Sequence, residues 1–236
     1  MRFLLFTAAL ASASPLAARQ KTPADYPPRI FADAFTLIAN VTSPTPNPLF
    51  NPHGWVLTAE RVGAGQNAVV LSAKPAAGAG AVLFLNGTAR DVSAENTSIM
   101  APPLNNTSGP IPMGLQYASG AENRLVRLGI NFGVGTLGTG IGVGLRDPYA
   151  RLFAPAAMQG GRFIVCKEPN PVYTRPEFPV YWARYGVSEI PENCEQIALL
   201  AQCAKLPELV GEKELNIVKI GVGCYEDVKS IDWSKW

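Results

Sequence analysis

Apolar residues in this chain recur with a period of two over short runs, rather than with a period near 3.6 over long ones. Alternation over four to eight residues puts side chains on opposite faces of an extended strand, so the pattern predicts β-structure. Strands are expected at 34–41, 55–62, 68–72, 81–85, 124–132, 141–146, 162–166, 178–185 and 215–224. Gly, Pro and Asn separate these runs, which predicts an all-β fold, a single antiparallel β-sandwich or barrel with long Pro- and Asn-rich loops. Residues 42–52 carry Pro44, Pro46, Pro48 and Pro52, and residues 94–112 mix prolines with asparagines. Both segments predict exposed excursions. The segment 192–206 stays open: its Glu, Gln, Ala and Leu suit one short helix near the C-terminus, begun at Pro191, whereas Ile197–Ala201 suits a buried strand.

The first residues read differently. Arg2 followed by the apolar stretch Phe3–Ala13 and small residues near Ala13 and Ala18 has the form of a secretion signal, cleaved before Ser14 or before Arg19. Spanning a bilayer takes about 20 apolar residues, so the stretch is too short for an anchor. The expected organisation is a signal peptide over 1–18, a flexible segment over 19–29 and one secreted β-rich domain over 30–236.

Two independent features agree with export. Asn40, Asn86, Asn96, Asn105 and Asn106 each begin an N-x-S/T acceptor, although adjacent Asn105 and Asn106 would crowd each other if both carried glycans. The four cysteines, Cys166, Cys194, Cys203 and Cys224, fit two disulfides in an oxidising compartment. There is no CxxC, and one histidine does not complete an ordinary zinc set. Cys194 and Cys203 would lie about 13 Å apart along a helix or about 30 Å apart along a strand. A disulfide needs Cα atoms within about 7 Å, which removes that pairing and leaves two connectivities. A hairpin of 196–203 with 215–224 would set Cys194 opposite Cys224 and leave Cys166 for Cys203, the arrangement expected here.

Composition narrows the class further. Of 236 residues, 47% are hydrophobic and 16% charged, too apolar for a disordered chain. Twenty Lys and Arg against 18 Asp and Glu give a net charge of +2, so nothing electrostatic favours nucleic acid as a partner. Between Ile30 and Gly120 ionised side chains are sparse and all five acceptor asparagines occur, so glycans are expected to hydrate that surface in their place.

A set of motifs then carries a resemblance. Phe35-Thr-Leu-Ile-Ala-Asn-Val-Thr42, Gly54-Trp-Val-Leu57, Gly63 to Leu71 and Val82-Leu-Phe-Leu-Asn-Gly-Thr88 are similar to a family of secreted filamentous-fungal proteins known as a domain of unknown function. Gly161 to Cys166 and Pro191 to Cys203 resemble its later pattern. The resemblance covers roughly residues 30–205. It implies one secreted domain and brings no activity or catalytic residue; the tail 206–236, with Cys224, lies outside it.

The candidate chemistry is thin. His53, the only histidine, sits in a loop-like Asn51-Pro-His-Gly-Trp55, and no G-x-S-x-G elbow accompanies it. Gly133 to Gly138 matches G-x-G-x-x-G, but the glycines at 138, 140, 142 and 144 alternate as in a strand, against a dinucleotide turn. Asp33, Glu60, Asp91 and Asp147 are the acids that could form a hydrolytic pair. Trp55 and Trp182 are candidate ligand-facing aromatics, set against the alternative that they fill the core. The expected function is a secreted, non-catalytic glycoprotein of the cell wall or medium, with polysaccharide or an extracellular protein as partner. A polysaccharide hydrolase using an Asp/Glu pair is the alternative. Neither a cofactor nor a metal is expected.

Overall fold

The alternating runs become strands that cross one another's neighbours, so that the same chain is shared between two hydrogen-bonded rings. The computed structural model describes residues 27–63, 66–74, 80–88, 90–91, 97–102, 111–116, 125–131, 136–137, 142–143, 149–153, 160–170, 175–184, 189–208 and 218–235. Its strands are β1 (Ile30–Ala32), β2 (Ala34–Val41), β3 (Val56–Gly63), β4 (Gln66–Ser72), β5 (Phe84–Asn86), β6 (Ser98–Ala101), β7 (Ile111–Gln116), β8 (Leu125–Asn131) and β9 (Thr136–Leu137). They continue with β10 (Gly142–Val143), β11 (Leu152–Phe153), β12 (Arg162–Cys166), β13 (Glu168–Pro169), β14 (Pro176–Glu177), β15 (Val180–Ala183), β16 (Cys194–Ala204), β17 (Lys219–Ile220) and β18 (Val222–Cys224). Two 3-10 turns, Val228–Ser230 and Trp233–Lys235, follow. The architecture is all-β and the strand pairings are antiparallel.

The first ring runs β2–β3–β4, then to the chain entering β15, then β12 and β16, and back to β2. It closes because Val70 of β4 bridges Pro179 and Leu71 N–H donates to Phe178 O at 2.9 Å. The second ring runs β3–β4–β8–β7–β6–β5 and closes where Gly80 bridges Thr58 and Ala81 N–H donates to Leu57 O at 3.0 Å. The β3–β4 ribbon belongs to both. Closing a sheet on itself removes exposed edges. Phe35, Leu37, Ile38 and Ala39 of β2 are all buried although they point to both faces of the strand, as are Leu199, Leu200 and Ala201 of β16. These side chains join Leu57, Val69, Leu85, Ile99, Met113, Leu128 and Phe163 in one contiguous core.

Two expectations are corrected and one open reading is decided. The excursion expected at 94–112 contains β6 and runs into β7, because Ile99 and Ala101 alternate inward and Ile111 and Met113 meet them in the same core. The open segment 192–206 is strand, not helix: β16 lies antiparallel between β12 and β2, and this double pairing overrides the helix propensity of its residues. The short helices near the C-terminus are the two 3-10 turns. The expected strand at 215–224 is split at Gly221 into β17, which pairs with β5, and β18, which pairs with β1; residues 215–217 lie outside the described residues.

The disulfides join Cys166 to Cys194 and Cys203 to Cys224, not Cys166 to Cys203 and Cys194 to Cys224. The register of β12 against β16 places Cys166 directly opposite Cys194, with Cα atoms 3.9 Å apart. The expected hairpin does not form, since the tail returns alongside β16 in the parallel sense. Cys203 N–H donates to Tyr225 O and Tyr225 N–H to Ala201 O, which brings Cys224 within 5.2 Å of Cys203.

Candidate functional site

The chain before β3 makes a tight turn that seats Trp55. Trp55 N–H donates to Pro52 O at 3.0 Å, and Gly54, the third residue of the turn, has φ of +76°. A turn of this type requires a left-handed third residue, which glycine adopts without steric cost. The turn is fastened to β2 by Gly54 N–H to Ala39 O and Ala39 N–H to Trp55 O. His53 falls at the exposed second position, its N–H donating to Asn51 Oδ1 at 3.0 Å. Trp55 itself is half-buried, edge-on to Phe178 with ring centroids 4.7 Å apart, and Phe50 completes the cluster 5.5 Å from Phe178.

Trp55 and Phe178 form one side of an open groove of about 630 Å³, floored by residues of β3 and β4. The groove lies at the seam where β4 passes from β8, its partner over Gln66–Ala68, to Phe178 and Pro179. Ion pairs dress the other side. Arg175, 72% exposed, reaches Glu60 on β3 at 2.7 Å, and Glu60 is 24% exposed. Glu177 is nearly buried, bound by Arg127 at 3.3 Å and by Asn170 Nδ2 at 3.1 Å. Behind it Tyr181 Oη donates to Glu168 at 2.8 Å. Burial first, then this hydrogen bond and the Glu168 charge, push the Tyr181 phenol well above its ordinary value, so it remains a protonated donor.

A second cleft, of about 600 Å³, lies between residues 43–49 and the start of β16. Its polar groups serve the loop itself. Asn47 N–H donates to the buried carboxylate of Glu195, and its Nδ2 to Glu192 O and Cys194 O at 2.7 and 3.0 Å. The proline-rich loop is thus pinned to β16.

Of the predicted candidates, Trp55 lines the groove and Trp182 does not. Trp182 is 6% exposed and packs against Phe163 with centroids 4.8 Å apart. Alternation along β15 puts Trp182 in the main core, while Tyr181 and Ala183 pack with Ile164, Cys166 and Cys194 on the opposite face, so both faces are covered. Among the acids, Glu60 reaches the groove. Asp33 lies exposed between β1 and β2, Asp91 is held in a surface turn by Thr88, and Asp147 lies outside the described residues. The acid that joins Glu60 is Glu177, which sequence reading passed over. Its local signal is the alternation Arg175-Pro-Glu-Phe-Pro179, but the Glu60 that Arg175 reaches is 115 residues away from that arginine. Asn40 and Asn86 are half-buried at the ends of β2 and β5, with Asn86 Oδ1 accepting from Val218 N–H. Asn96, Asn105 and Asn106 lie outside the described residues, as do the signal segment and most of the glycine strip. Thr136–Leu137 and Gly142–Val143 of that strip are strand. Among the described residues no three His, Cys, Asp or Glu gather as a metal set, and no helix is long and apolar enough to cross a membrane.

Comparison with known proteins adds three findings. A family profile described as Domain of unknown function (DUF7907) matches residues 32–203. The chain is 26% identical over 234 residues to the antigenic protein SchS34 of Stachybotrys chartarum, covering 95% of this chain and 99% of that protein. Among solved structures, the full-length CARDS toxin aligns with a TM-score of 0.41 at 8% identity, over 75% of this chain. The chain spans 27% of that toxin's length.

Proposed function

Because this chain belongs to the family described as Domain of unknown function (DUF7907), a description that carries no activity, we propose a function from the groove itself: a secreted, non-catalytic glycoprotein that binds saccharide chains of the cell wall or extracellular medium. The observation that carries this reading is Trp55, held half-buried by a glycine turn beside fixed ion pairs in an open groove. A large planar ring offers an apolar surface to the C–H face of a sugar, while neighbouring carboxylate and guanidinium groups accept and donate to its hydroxyls. Two disulfides and the acceptor asparagines suit the secretory route, with cleavage of residues 1–18 and glycans at Asn40, Asn86, Asn96 and one or both of Asn105 and Asn106. The word "antigenic" in the relative's name suits exposure outside the cell.

Retention on chitin, β-glucan, cellulose and the acidic polymer polygalacturonate tests the reading. Wild type is expected to bind at least one polymer and Trp55→Ala to lose that retention while keeping its circular dichroism and melting curve. Retention unchanged in Trp55→Ala, or no retention on any polymer, overturns it.

One observation favours a second reading. Glu60 and Glu177 share the groove, as the paired carboxylates of a glycoside hydrolase would. Each is occupied by a guanidinium, which places the hydrolase second. Release of reducing ends from a bound polymer, abolished in Glu60→Gln and Glu177→Gln, would establish it.

A further inference from the structure

The charges of the groove do not balance on their own partners. Among the described residues four charged ones line it: Glu60, Lys74, Arg175 and Glu177. Glu60 is neutralised by Arg175, and Glu177 by Arg127, which reaches in from β8. Lys74, exposed just beyond the end of β4, makes no ion pair among the described residues and is left as the groove's uncompensated charge. Opposite-charge contacts favour association and set which of two similar ligands is taken, while a like charge would be repelled. We infer that the saccharide taken by this groove is anionic, its sugar ring lying on Trp55 and its acidic group facing Lys74. The inference rests on the saccharide-binding reading and adds the charge of the ligand to it.

A neutral chain would take only a hydrogen bond from the ammonium, without the charge pairing an acidic group adds, and a cationic one such as deacetylated chitin would meet Lys74 unfavourably. The stem of Lys74 is exposed, so replacing it removes charge without disturbing the core. An exposed ion pair contributes about 0–1 kcal/mol, equivalent to a preference of up to about fivefold, and salt screens it over a distance of about 10 Å at 0.1 M.

Titration of the full-length mature protein with tetragalacturonate, and with the same tetramer as its methyl ester, tests this directly, since the pair differs in charge and shares its rings and linkages. The free acid is expected to bind about two- to fivefold more tightly at low salt. That preference should vanish in Lys74→Gln and shrink at high salt, and Trp55→Ala should weaken both ligands alike. Equal or tighter binding of the ester, or a preference that survives Lys74→Gln, overturns the inference. If neutral glucan is retained through Trp55 but neither tetramer binds, the inference fails and the saccharide reading stands. If no saccharide of any charge binds, both fail.

Discussion

Gly161 precedes β12 in a space that admits no side chain. A Cβ placed on it would stand 2.4 Å from Ala183 O, 2.5 Å from Trp182 Cε2 and 2.7 Å from Trp182 Cζ2. None of these atoms can yield easily. Ala183 belongs to the β12–β15 ladder opposite Arg162, and Trp182 is wedged against Phe163 in the core. Gly161→Ala must therefore push a strand or an indole aside, at a cost of about 1–3 kcal/mol for an overpacked core. For a chain of this length each kcal/mol lowers Tm by about 2–4 °C, so a fall of about 2–12 °C is expected in a thermal melt followed by circular dichroism. Trp182→Leu removes two of the three contacts at its own cavity cost, and adding Gly161→Ala in that background should cost less than it does alone. The coupling between the two should exceed about 0.5 kcal/mol. A melting temperature for Gly161→Ala within about 1 °C of wild type, or strict additivity of the pair, would refute the placement of Trp182 as a core ring closed over Gly161.

Other expectations follow from the same geometry. Gly54→Ala forces a Cβ into the left-handed region, costing about 1–2 kcal/mol in chemical denaturation, and by shifting Trp55 it should also weaken polymer retention; full retention would separate Trp55 from its turn. Non-reducing peptide mapping should recover Cys166 linked to Cys194 and Cys203 linked to Cys224, and Cys203→Ser/Cys224→Ser should lose about 3–4 kcal/mol, as for a loop of 21 residues. Tyr181→Phe should lose about 1 kcal/mol at neutral pH with the hydrogen bond to Glu168. Its pH dependence has a definite sign. The folded phenol titrates above its ordinary value of 10.0, so its contribution is whole below that pH and fades as the pH rises through the folded value. Wild type should lose stability above about pH 10 more steeply than Tyr181→Phe in denaturant midpoints taken across pH; equal slopes would count against a buried, protonated Tyr181.

Much of the fold was written in local pattern. The expected strands at 34–41 and 162–166 coincide with β2 and β12, and those at 55–62, 68–72 and 124–132 fall within a residue or two of β3, β4 and β8. Where reading failed, a non-local term had overruled a local one. Residues 98–101 and 111–112 looked like loop because prolines and asparagines crowd around them, yet Ile99 of β6 faces Met113 of β7, into which that segment runs, and the two are buried together. The helix-forming residues of β16 are held extended by ladders on both sides. Half of the groove was legible: Trp55 and Glu60 stood out by type, and Gly54 explains locally how the ring is presented. Arg175, Glu177 and Phe178 did not stand out, since their meaning comes from meeting Glu60 and Trp55 across more than a hundred residues.

Sequence by itself determined the all-β character, the loop-like setting of His53 and the number of thiols available to pair, because period, backbone freedom and counting are properties of neighbours along the chain. Tertiary structure decided which thiols meet, that Trp182 is buried while Trp55 lines a groove, and which carboxylates stand together. Those outcomes depend on strand register, where a shift of one residue turns every side chain to the other face, and register is set by packing among segments that the chain keeps far apart.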